Sequence, residues 1–200
     1  MPLTTYLFDL DDTLIDSRIY AELYKPILNK VKTRLNITYK ELDAKARELG
    51  IRKNSNGRYD TGDLCREMGL IELYYTLLER KIKATQVLRK RVLGVFKELR
   101  KNDKRIGIVS NSMRRTIKLY FQKYNLEKYV DFIFSYDDAG CRKDEKHYWI
   151  KLIKKESLKP KECLMIGDSL NEDVRVPKQL GFNTLLVKTS AEFILKYKIF

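Results

Sequence analysis

Two carboxylates and a hydroxyl stand close together near the start of the sequence, at Asp9, Asp11 and Thr13. They directly follow a short apolar run, Tyr6-Leu7-Phe8. If the chain stays extended, the two aspartates leave the same face and can converge on one ion or one phosphoryl group. Carboxylates this close repel each other unless a positive group lies between them. The spacing indicates a metal or acid–base site; the alternative is a turn, because Asp and Thr are good turn formers.

A second acidic cluster follows another apolar run later in the chain. It reads Gly167-Asp168-Ser169-Leu170-Asn171-Glu172-Asp173. Two of its acids, Asp168 and Asp173, are five residues apart behind a glycine that permits close approach of the backbone. Two acidic clusters at the ends of two buried strands would be costly to hold together unless a cation neutralised them, and oxygen ligands suit Mg²⁺. The two clusters together therefore predict a magnesium site.

Polar residues of another kind follow two further apolar runs. Ser110-Asn111-Ser112 comes after residues 106–109, and its hydroxyls and backbone N–H groups at a helix start can hold an anion. The alternative is an ordinary helix cap. After residues 132–134 comes a loop that carries Arg142-Lys143. These segments are candidates for binding a phosphate.

The elements that must position these residues alternate along the chain. A first strand ends near Phe8, and later strands are predicted at residues 106–109, 132–134, 164–166 and 184–187. Helical patterns precede the later strands; one of them runs from Val174 to Leu180 and stops at Gly181. Strands that alternate with helices indicate an α/β fold with a doubly wound parallel sheet. In such sheets ligands bind beyond the carboxyl ends of the strands.

Residues 16–89 break this alternation and are predicted to be entirely helical. Apolar residues recur at helical spacing there, with Ile19, Leu23, Ile27, Val31 and Leu35 as the first set. Thr38 and Glu41 form a capping box, and another helix is expected to start at Thr61. We therefore predict two domains, an α/β domain of residues 1–15 and 90–200 and an inserted helical domain of residues 16–89.

Composition limits the classes of function. The net charge is +14, from 41 Lys and Arg against 27 Asp and Glu. The basic runs are spread along the chain without a nucleic-acid-binding motif, so solvated helix faces are expected rather than a nucleic-acid partner. A single histidine, His147, excludes metal sites built on several imidazoles.

The cysteines and the apolar segments define the expected environment. Three cysteines far apart in sequence, Cys65, Cys141 and Cys163, argue against a disulfide framework and against a CxxC zinc or redox site. There is no long apolar stretch and no basic-then-apolar leader, so neither a membrane span nor a signal peptide is expected. A cytoplasmic protein is the expectation.

Taken in this order and at these strand ends, the motifs resemble those of the haloacid dehalogenase superfamily over nearly the whole chain. The DxDx[TV] motif corresponds to Asp9 through Thr13, the serine motif to Ser110, the lysine motif to Lys143 and the GDxxxxD motif to Gly167 through Asp173. The helical insertion is similar to the cap domain found in many members. Two positions depart from common versions: Asp12 stands where glycine is frequent, and Asp144 where proline often follows the lysine.

The resemblance implies a role for each motif residue. Asp9 would be the nucleophile that forms an aspartyl-phosphate, and Asp11 the general acid and base. Asp9, Asp168 and the backbone carbonyl of Asp11 would bind Mg²⁺, and Asp173 would support that shell. Three groups would bind the transferring oxygens: Ser110, the Asn111 amide and Lys143.

The expected function is that of a phosphomonoester hydrolase. Dehalogenases of this superfamily generally lack the second acid of the first motif, so Asp11 favours phosphate chemistry. A phosphomutase and an inactive phosphate- or nucleic-acid-binding protein are the alternatives. The substrate would be a small phosphorylated metabolite. In the polar loop of the insertion, Arg52 and Arg58 are candidates for reaching its leaving group.

Overall fold

The computed structural model describes residues 2–51, 53–54 and 57–187. Five strands of this part form one sheet: β1 (Thr5–Phe8), β2 (Arg105–Val109), β3 (Phe132–Phe134), β4 (Cys163–Gly167) and β5 (Asn183–Leu186). All neighbouring strands are parallel, in the order β3-β2-β1-β4-β5. The predicted α/β fold is confirmed, and each later strand lies within about one residue of its predicted bounds, inside the usual uncertainty of element ends.

The helices fill the connections between the strands. In chain order they are α1 (Arg18–Leu35), α2 (Tyr39–Glu48), α3 (Thr61–Glu67), α4 (Ile71–Ala84), α5 (Val92–Lys101), α6 (Arg114–Tyr124), α7 (Tyr136–Ala139), α8 (Lys146–Glu156) and α9 (Val176–Gln179). A π-helical segment, Leu170–Arg175, leads into α9. The short helix α7 was not predicted.

The chain divides into two compact units. One comprises Met1–Ser17 and Val87–Phe200 and holds the sheet with α5–α9; the other is Arg18–Gln86 and holds α1–α4. The predicted domain organisation and the role of the helical unit as a cap domain both stay predictions.

The helical unit is built around the apolar face of α1. Ile19, Leu23, Ile27 and Val31 are buried there, as their spacing predicts. At the start of α2 the predicted capping box is present: Glu41 N donates to Thr38 Oγ1, and Thr38 N donates to the Glu41 carboxylate. Two of the backbone N–H groups without a partner at that helix end are thereby satisfied.

The core of the α/β unit lies between the sheet and its helices. One part of it buries Leu7, Val109 and Met165 of the central strands against Trp149 on α8. Close packing also explains a glycine in the middle of β2. A Cβ on Gly107 would lie 2.3 Å from the ring of Phe132 on the neighbouring strand. The absence of a side chain at Gly107 therefore makes room for the Phe132 ring between β2 and β3.

The strand order creates a reversal next to β1. From β1 the chain adds β2 and β3 on one side of the sheet and then returns to place β4 and β5 on the other. Such a reversal opens a crevice beyond the carboxyl ends of the strands, where ligands bind in open α/β sheets. Asp9 follows β1 and Asp168 follows β4 at this point.

Two predictions from composition can be compared with the described part of the chain. None of its helices has the length and apolar character required to cross a membrane. The three cysteines are free thiols, with Cys65 and Cys163 buried and Cys141 partly exposed. Burial raises the pKa of Cys65 to about 12, which leaves that thiol unreactive at neutral pH.

Candidate active site

The first acidic residue is held firmly at the carboxyl end of β1. Asp9 N donates to Ile166 O of β4 at 2.9 Å, and the residue is only 5% exposed. Burial raises the pKa of the Asp9 carboxyl well above its usual value, and the ammonium of Lys143 opposes this effect. A buried carboxyl at a strand end needs a positive partner to stay ionised.

Lys143 supplies that partner. Its Nζ donates to Asp9 Oδ1 at 2.5 Å and to Asp173 Oδ1 at 2.7 Å, and the residue is 1% exposed. Burial opposes the charge on the lysine, but the two carboxylates outweigh it and raise the pKa of Lys143 well above its usual value. The neighbouring cations Arg142 and Lys146 are exposed. The structure thus places Lys143, rather than either neighbour, against Asp9.

Asp173 has no solvent exposure and holds the lysine from the other side. Its Oδ2 accepts from Ser169 N at 3.0 Å, while its Oδ1 faces Lys143. This arrangement requires glycine at position 167, because a Cβ there would lie 2.2 Å from the Asp173 carboxyl. The glycine of the second acidic cluster therefore has a steric explanation.

Asp168 lies at the exposed rim of the same group. One carboxylate oxygen from each of Asp9, Asp168 and Asp173 lies within 4.8 Å of the other two. Burial raises the pKa of Asp168 to about 6, and the charges of Asp173 and Asp12 add to this rise. A set of carboxylate oxygens at this spacing fits a hard divalent cation such as Mg²⁺.

Ser110 is fixed at the end of β2. It is 2% exposed; its N donates to Phe134 O at 3.0 Å, and its O accepts from the Tyr148 hydroxyl at 3.0 Å. The same tyrosine hydroxyl lies 2.9 Å from Phe134 O, so it joins the ends of β2 and β3. Sequence reasoning did not assign this role to Tyr148, whose only signal is its position on an apolar helix face.

The side chain of Asn111 links three segments of the site. Its Nδ2 donates to Glu172 Oε2 at 2.9 Å, and its Oδ1 accepts from Lys143 N at 2.9 Å. Both ends of the side-chain amide are thus engaged by protein. The predicted contact of the Asn111 amide with phosphate stays a prediction. Glu172, which the sequence left without a role, braces the loop that carries Lys143.

Asp11 is half-buried and faces the segment after β2. Its Oδ2 accepts from Ser112 Oγ at 2.7 Å. Ser112 N in turn donates to Ser110 Oγ at 3.0 Å. The structure therefore brings the predicted acid–base residue beside the predicted phosphate-binding hydroxyl through Ser112, which belongs to the same predicted anion-binding segment as Ser110.

Asp12, the third acid of the first motif, points to a different set of partners. Its carboxylate accepts from Ser17 N at 3.2 Å and from Ser17 Oγ at 2.5 Å, and it lies 3.3 Å from Arg89 Nη2. Its φ of 56° is left-handed. Glycine adopts that conformation most readily, and Asp is among the few other residues that do so. This explains how Asp can occupy a position where the resembling family often has glycine.

The two arginines proposed for substrate recognition lie in the helical unit. Arg58 is exposed, with its guanidinium carbon 5.5 Å from the centre of the Tyr24 ring. Arg52 lies outside the described residues. Their role in substrate recognition stays a prediction.

Comparison with known proteins adds three findings to this geometry. Residues 3–181 match a family model described as haloacid dehalogenase-like hydrolase. The chain is 26% identical over 202 residues to pyrophosphatase PpaX of Bacillus cereus (strain G9842), covering 94% of this chain and 84% of that protein. It is also 26% identical over 207 residues to the glyceraldehyde 3-phosphate phosphatase of Pyrococcus furiosus, covering 96% and 84%.

A solved structure gives the same fold. The crystal structure of a HAD phosphatase from Thermococcus onnurineus aligns with a TM-score of 0.71 at 24% identity and covers 96% of each chain. At that identity the likeness speaks for the fold, while the family follows from the model match over most of the chain.

Proposed function

The chain belongs to the haloacid dehalogenase-like hydrolase family, and from that premise we propose that it is a Mg²⁺-dependent phosphomonoester hydrolase acting through an aspartyl-phosphate. The observation that carries the proposal is the placement of Asp9, buried at the end of β1 with Lys143 at 2.5 Å and Asp11 two residues away. Relatives named as a pyrophosphatase and a glyceraldehyde 3-phosphate phosphatase support phosphate chemistry.

Asp9 is the nucleophile in this proposal. Its carboxylate attacks phosphorus in line, the bond from phosphorus to the leaving oxygen breaks, and an acyl phosphate forms. Water then attacks the same phosphorus and releases inorganic phosphate with the carboxylate restored. Division into two displacements replaces one difficult step with two easier ones.

Asp11 carries the proton in both displacements. It protonates the leaving alcohol oxygen in the first step and takes a proton from the attacking water in the second. Such general acid–base catalysis contributes about 10²- to 10⁴-fold in rate. Its half-buried position beside the Ser110–Ser112 segment supports this role.

Lys143, Ser110 and the backbone N–H of Asn111 bind the oxygens of the transferring group. Charge on those oxygens must be stabilised throughout phosphoryl transfer, and fixed donors in a site that excludes water stabilise it most. The burial of Lys143 and Ser110 supports the assignment.

Asp9 and Asp168 hold the metal, with the backbone carbonyl of Asp11 as a third protein ligand. When bound, Mg²⁺ supplies positive charge that offsets the repulsion between carboxylates and phosphate. Asp173 supports the group by holding Lys143 and the backbone of Ser169.

The substrate is a small phosphorylated metabolite. Phosphomonoesters and pyrophosphate belong in one screening panel, since relatives of both kinds are similar to this chain. Arg52 and Arg58 are proposed to recognise the leaving group. Alanine at both positions is expected to lower kcat/KM for the best substrate of the panel; an unchanged kcat/KM for every substrate removes this assignment.

The central experiment measures phosphate release from an aryl phosphate with and without Mg²⁺. Wild type should release phosphate only with the metal, Asp9→Asn should abolish release, and Asp11→Asn should slow it by about 10²- to 10⁴-fold. Asp103→Asn, which changes an exposed aspartate in the turn before β2, is the matched control and should behave as wild type. Undiminished release by Asp9→Asn contradicts the nucleophile assignment. An inactive wild type favours a mutase or a binding protein.

A further inference from the structure

Ser112 joins two residues that have separate roles in the proposed reaction. Its Oγ donates to Asp11 Oδ2 at 2.7 Å, and its backbone N donates to Ser110 Oγ at 3.0 Å. One residue therefore touches both the proton carrier and a phosphate-binding hydroxyl.

We propose that Ser112 is a positioning residue that orients Asp11 for proton transfer to the leaving group, an inference that rests on the proposed phosphatase function. A hydrogen bond to one carboxylate oxygen restricts rotation of the Asp11 carboxylate about its last side-chain bond. Proton transfer requires the acid within hydrogen-bond reach of the leaving oxygen. Small errors in placement are costly: about 1 Å is worth as much as 10²-fold in rate.

The hydrogen bond from Ser112 N to Ser110 Oγ orients a second group of the proposed site, the Ser110 hydroxyl. A hydroxyl has one donor and two acceptor sites. Because the backbone N–H of Ser112 occupies an acceptor site of Ser110, the hydroxyl hydrogen of Ser110 is left to donate to a phosphate oxygen. Ser112 thus orders the proton carrier by its side chain and the phosphate-binding hydroxyl by its backbone.

Ser112 is itself held in place, which a positioning residue requires. Its carbonyl accepts from Tyr136 N at 3.3 Å, and Ser110 next to it is tied to Phe134 O by its own N–H at 3.0 Å. These bonds connect the segment after β2 to the end of β3. The same segment is also tied to the loop of Lys143, because Asn111 Oδ1 accepts from Lys143 N at 2.9 Å.

A local structural role does not account for the hydroxyl of Ser112. A serine just before a helix commonly caps its first N–H groups. Here the N-cap of α6 is Met113, which makes no side-chain capping bond, and the Ser112 hydroxyl points to Asp11 instead. The side chain therefore serves the acid, not the helix.

The test compares two substrates that differ in their need for a proton. An alkyl phosphate has a poor leaving group and needs the acid, while 4-nitrophenyl phosphate leaves as a stable anion. Ser112→Ala should lower kcat for the alkyl phosphate by about 10- to 100-fold, should lower it much less for 4-nitrophenyl phosphate, and should leave KM nearly unchanged. Ser112→Thr keeps the hydroxyl and should restore most of the loss. Thr76→Ala, which removes an exposed hydroxyl on α4, is the matched control.

A double variant separates positioning of the acid from general damage to the site. If Ser112 acts through Asp11, then Ser112→Ala should not change the alkyl-to-aryl ratio further in an Asp11→Asn background. Equal losses on both substrates, or full additivity with Asp11→Asn, would overturn the inference while the phosphatase assignment stands. Inactivity of wild type on both substrates would instead remove the proposed function on which the inference rests.

Discussion

Two lysine–aspartate pairs in this molecule have the same contact distance and very different surroundings. Lys143 Nζ lies 2.5 Å from Asp9 Oδ1 in the α/β unit, and Lys53 Nζ lies 2.5 Å from Asp43 Oδ1 in the helical unit. The side chains of the first pair are 2% and 7% exposed, and those of the second 44% and 32%. Contact distance alone therefore cannot tell a site from a surface ion pair.

Burial is what separates the two pairs. Charges away from water interact strongly, and each loses much of its hydration, so removal of one partner strands the other. Exposed pairs are screened by water and salt and contribute little. We therefore expect the same substitution to have very different effects in the two places.

The largest effect is expected at the buried lysine. Lys143→Met leaves the carboxylates of Asp9 and Asp173 facing each other without a counter-charge. The cost to the free energy of unfolding should be about 3–5 kcal/mol, measured by urea unfolding. Under conditions in which Lys143→Met stays folded, its rate of phosphate release should be about 10²- to 10³-fold below that of wild type, since a donor to the transferring oxygens is lost. Lys146→Met, which changes an exposed lysine three residues away, is the control and should leave both quantities near wild type.

A divalent cation should act on the same buried group. Mg²⁺ at about 100 times its dissociation constant should stabilise the wild type by about 2.7 kcal/mol, and Asp168→Asn should lose most of that gain. The pKa of Asp168, raised to about 6, gives the sign for the metal-free protein. Because its pKa is raised, the protonated carboxyl is favoured in the folded protein. The stability that this preference gives the folded protein is present below about pH 4 and is lost as the pH rises through about 6.

Metal-free Asp168→Asn should therefore melt at a higher temperature than metal-free wild type at pH 8 and at nearly the same temperature at pH 4. Thermal melts with EDTA and with Mg²⁺ at both pH values check this. Equal stabilisation of both proteins by Mg²⁺ at pH 8 would contradict the assignment of Asp168 as a ligand. Asp103→Asn again serves as the control.

The sheet could be predicted from the sequence because its strands are short apolar runs that end at polar residues or turns. The runs before Asp9, Ser110 and Asp168 have this form, and each became a strand of the parallel sheet. The helical spacing of α1 likewise encodes its buried face. The spacing of apolar residues and the polar or turn residues that end an apolar run are local properties, so a single sequence reveals them.

Contacts that depend on three-dimensional placement could not be predicted in this way. The bonds from Ser112 to Asp11 and from Asn111 to Glu172 join residues 101 and 61 positions apart. No local pattern encodes such partners. The left-handed φ of 74° at Arg91 is equally hidden, because a long side chain at that position gives no turn signal.

An intermediate case lies at the start of α7. Asp138 is 10% exposed in its side chain and accepts from Ser135 N at 2.8 Å and from Lys155 Nζ at 2.6 Å, with Arg114 as a further partner. Burial raises the pKa of Asp138, but the bonds from Lys155 and Ser135 outweigh it and hold the pKa well below its usual range. The carboxylate therefore contributes stability above the unfolded-state pKa and loses it as the pH falls through the folded-state pKa.

Asp138→Asn should accordingly lower the melting temperature at pH 7 by less than Lys143→Met does. The difference from wild type should start to shrink as the pH falls below about 4, because the unfolded protein then binds a proton at Asp138 while the folded protein keeps the carboxylate charged. Thermal melts from pH 7 to pH 3 measure this. A difference that stays constant over the range would show that the charge of Asp138 is not what stabilises α7.

The smallest effect is expected at the exposed pair, with the same substitution as at Lys143. Lys53→Met leaves Asp43 in water with the Tyr59 hydroxyl still donating to it at 2.7 Å, so no charge is stranded. The melting temperature should change by at most about 2 °C, and the change should vanish in high salt. Salt should not remove the effect of Lys143→Met, because that pair is away from solvent. If the two Lys→Met substitutions lower the melting temperature equally and respond alike to salt, then contact distance rather than burial sets the strength of these pairs. The contrast between the two regions then fails.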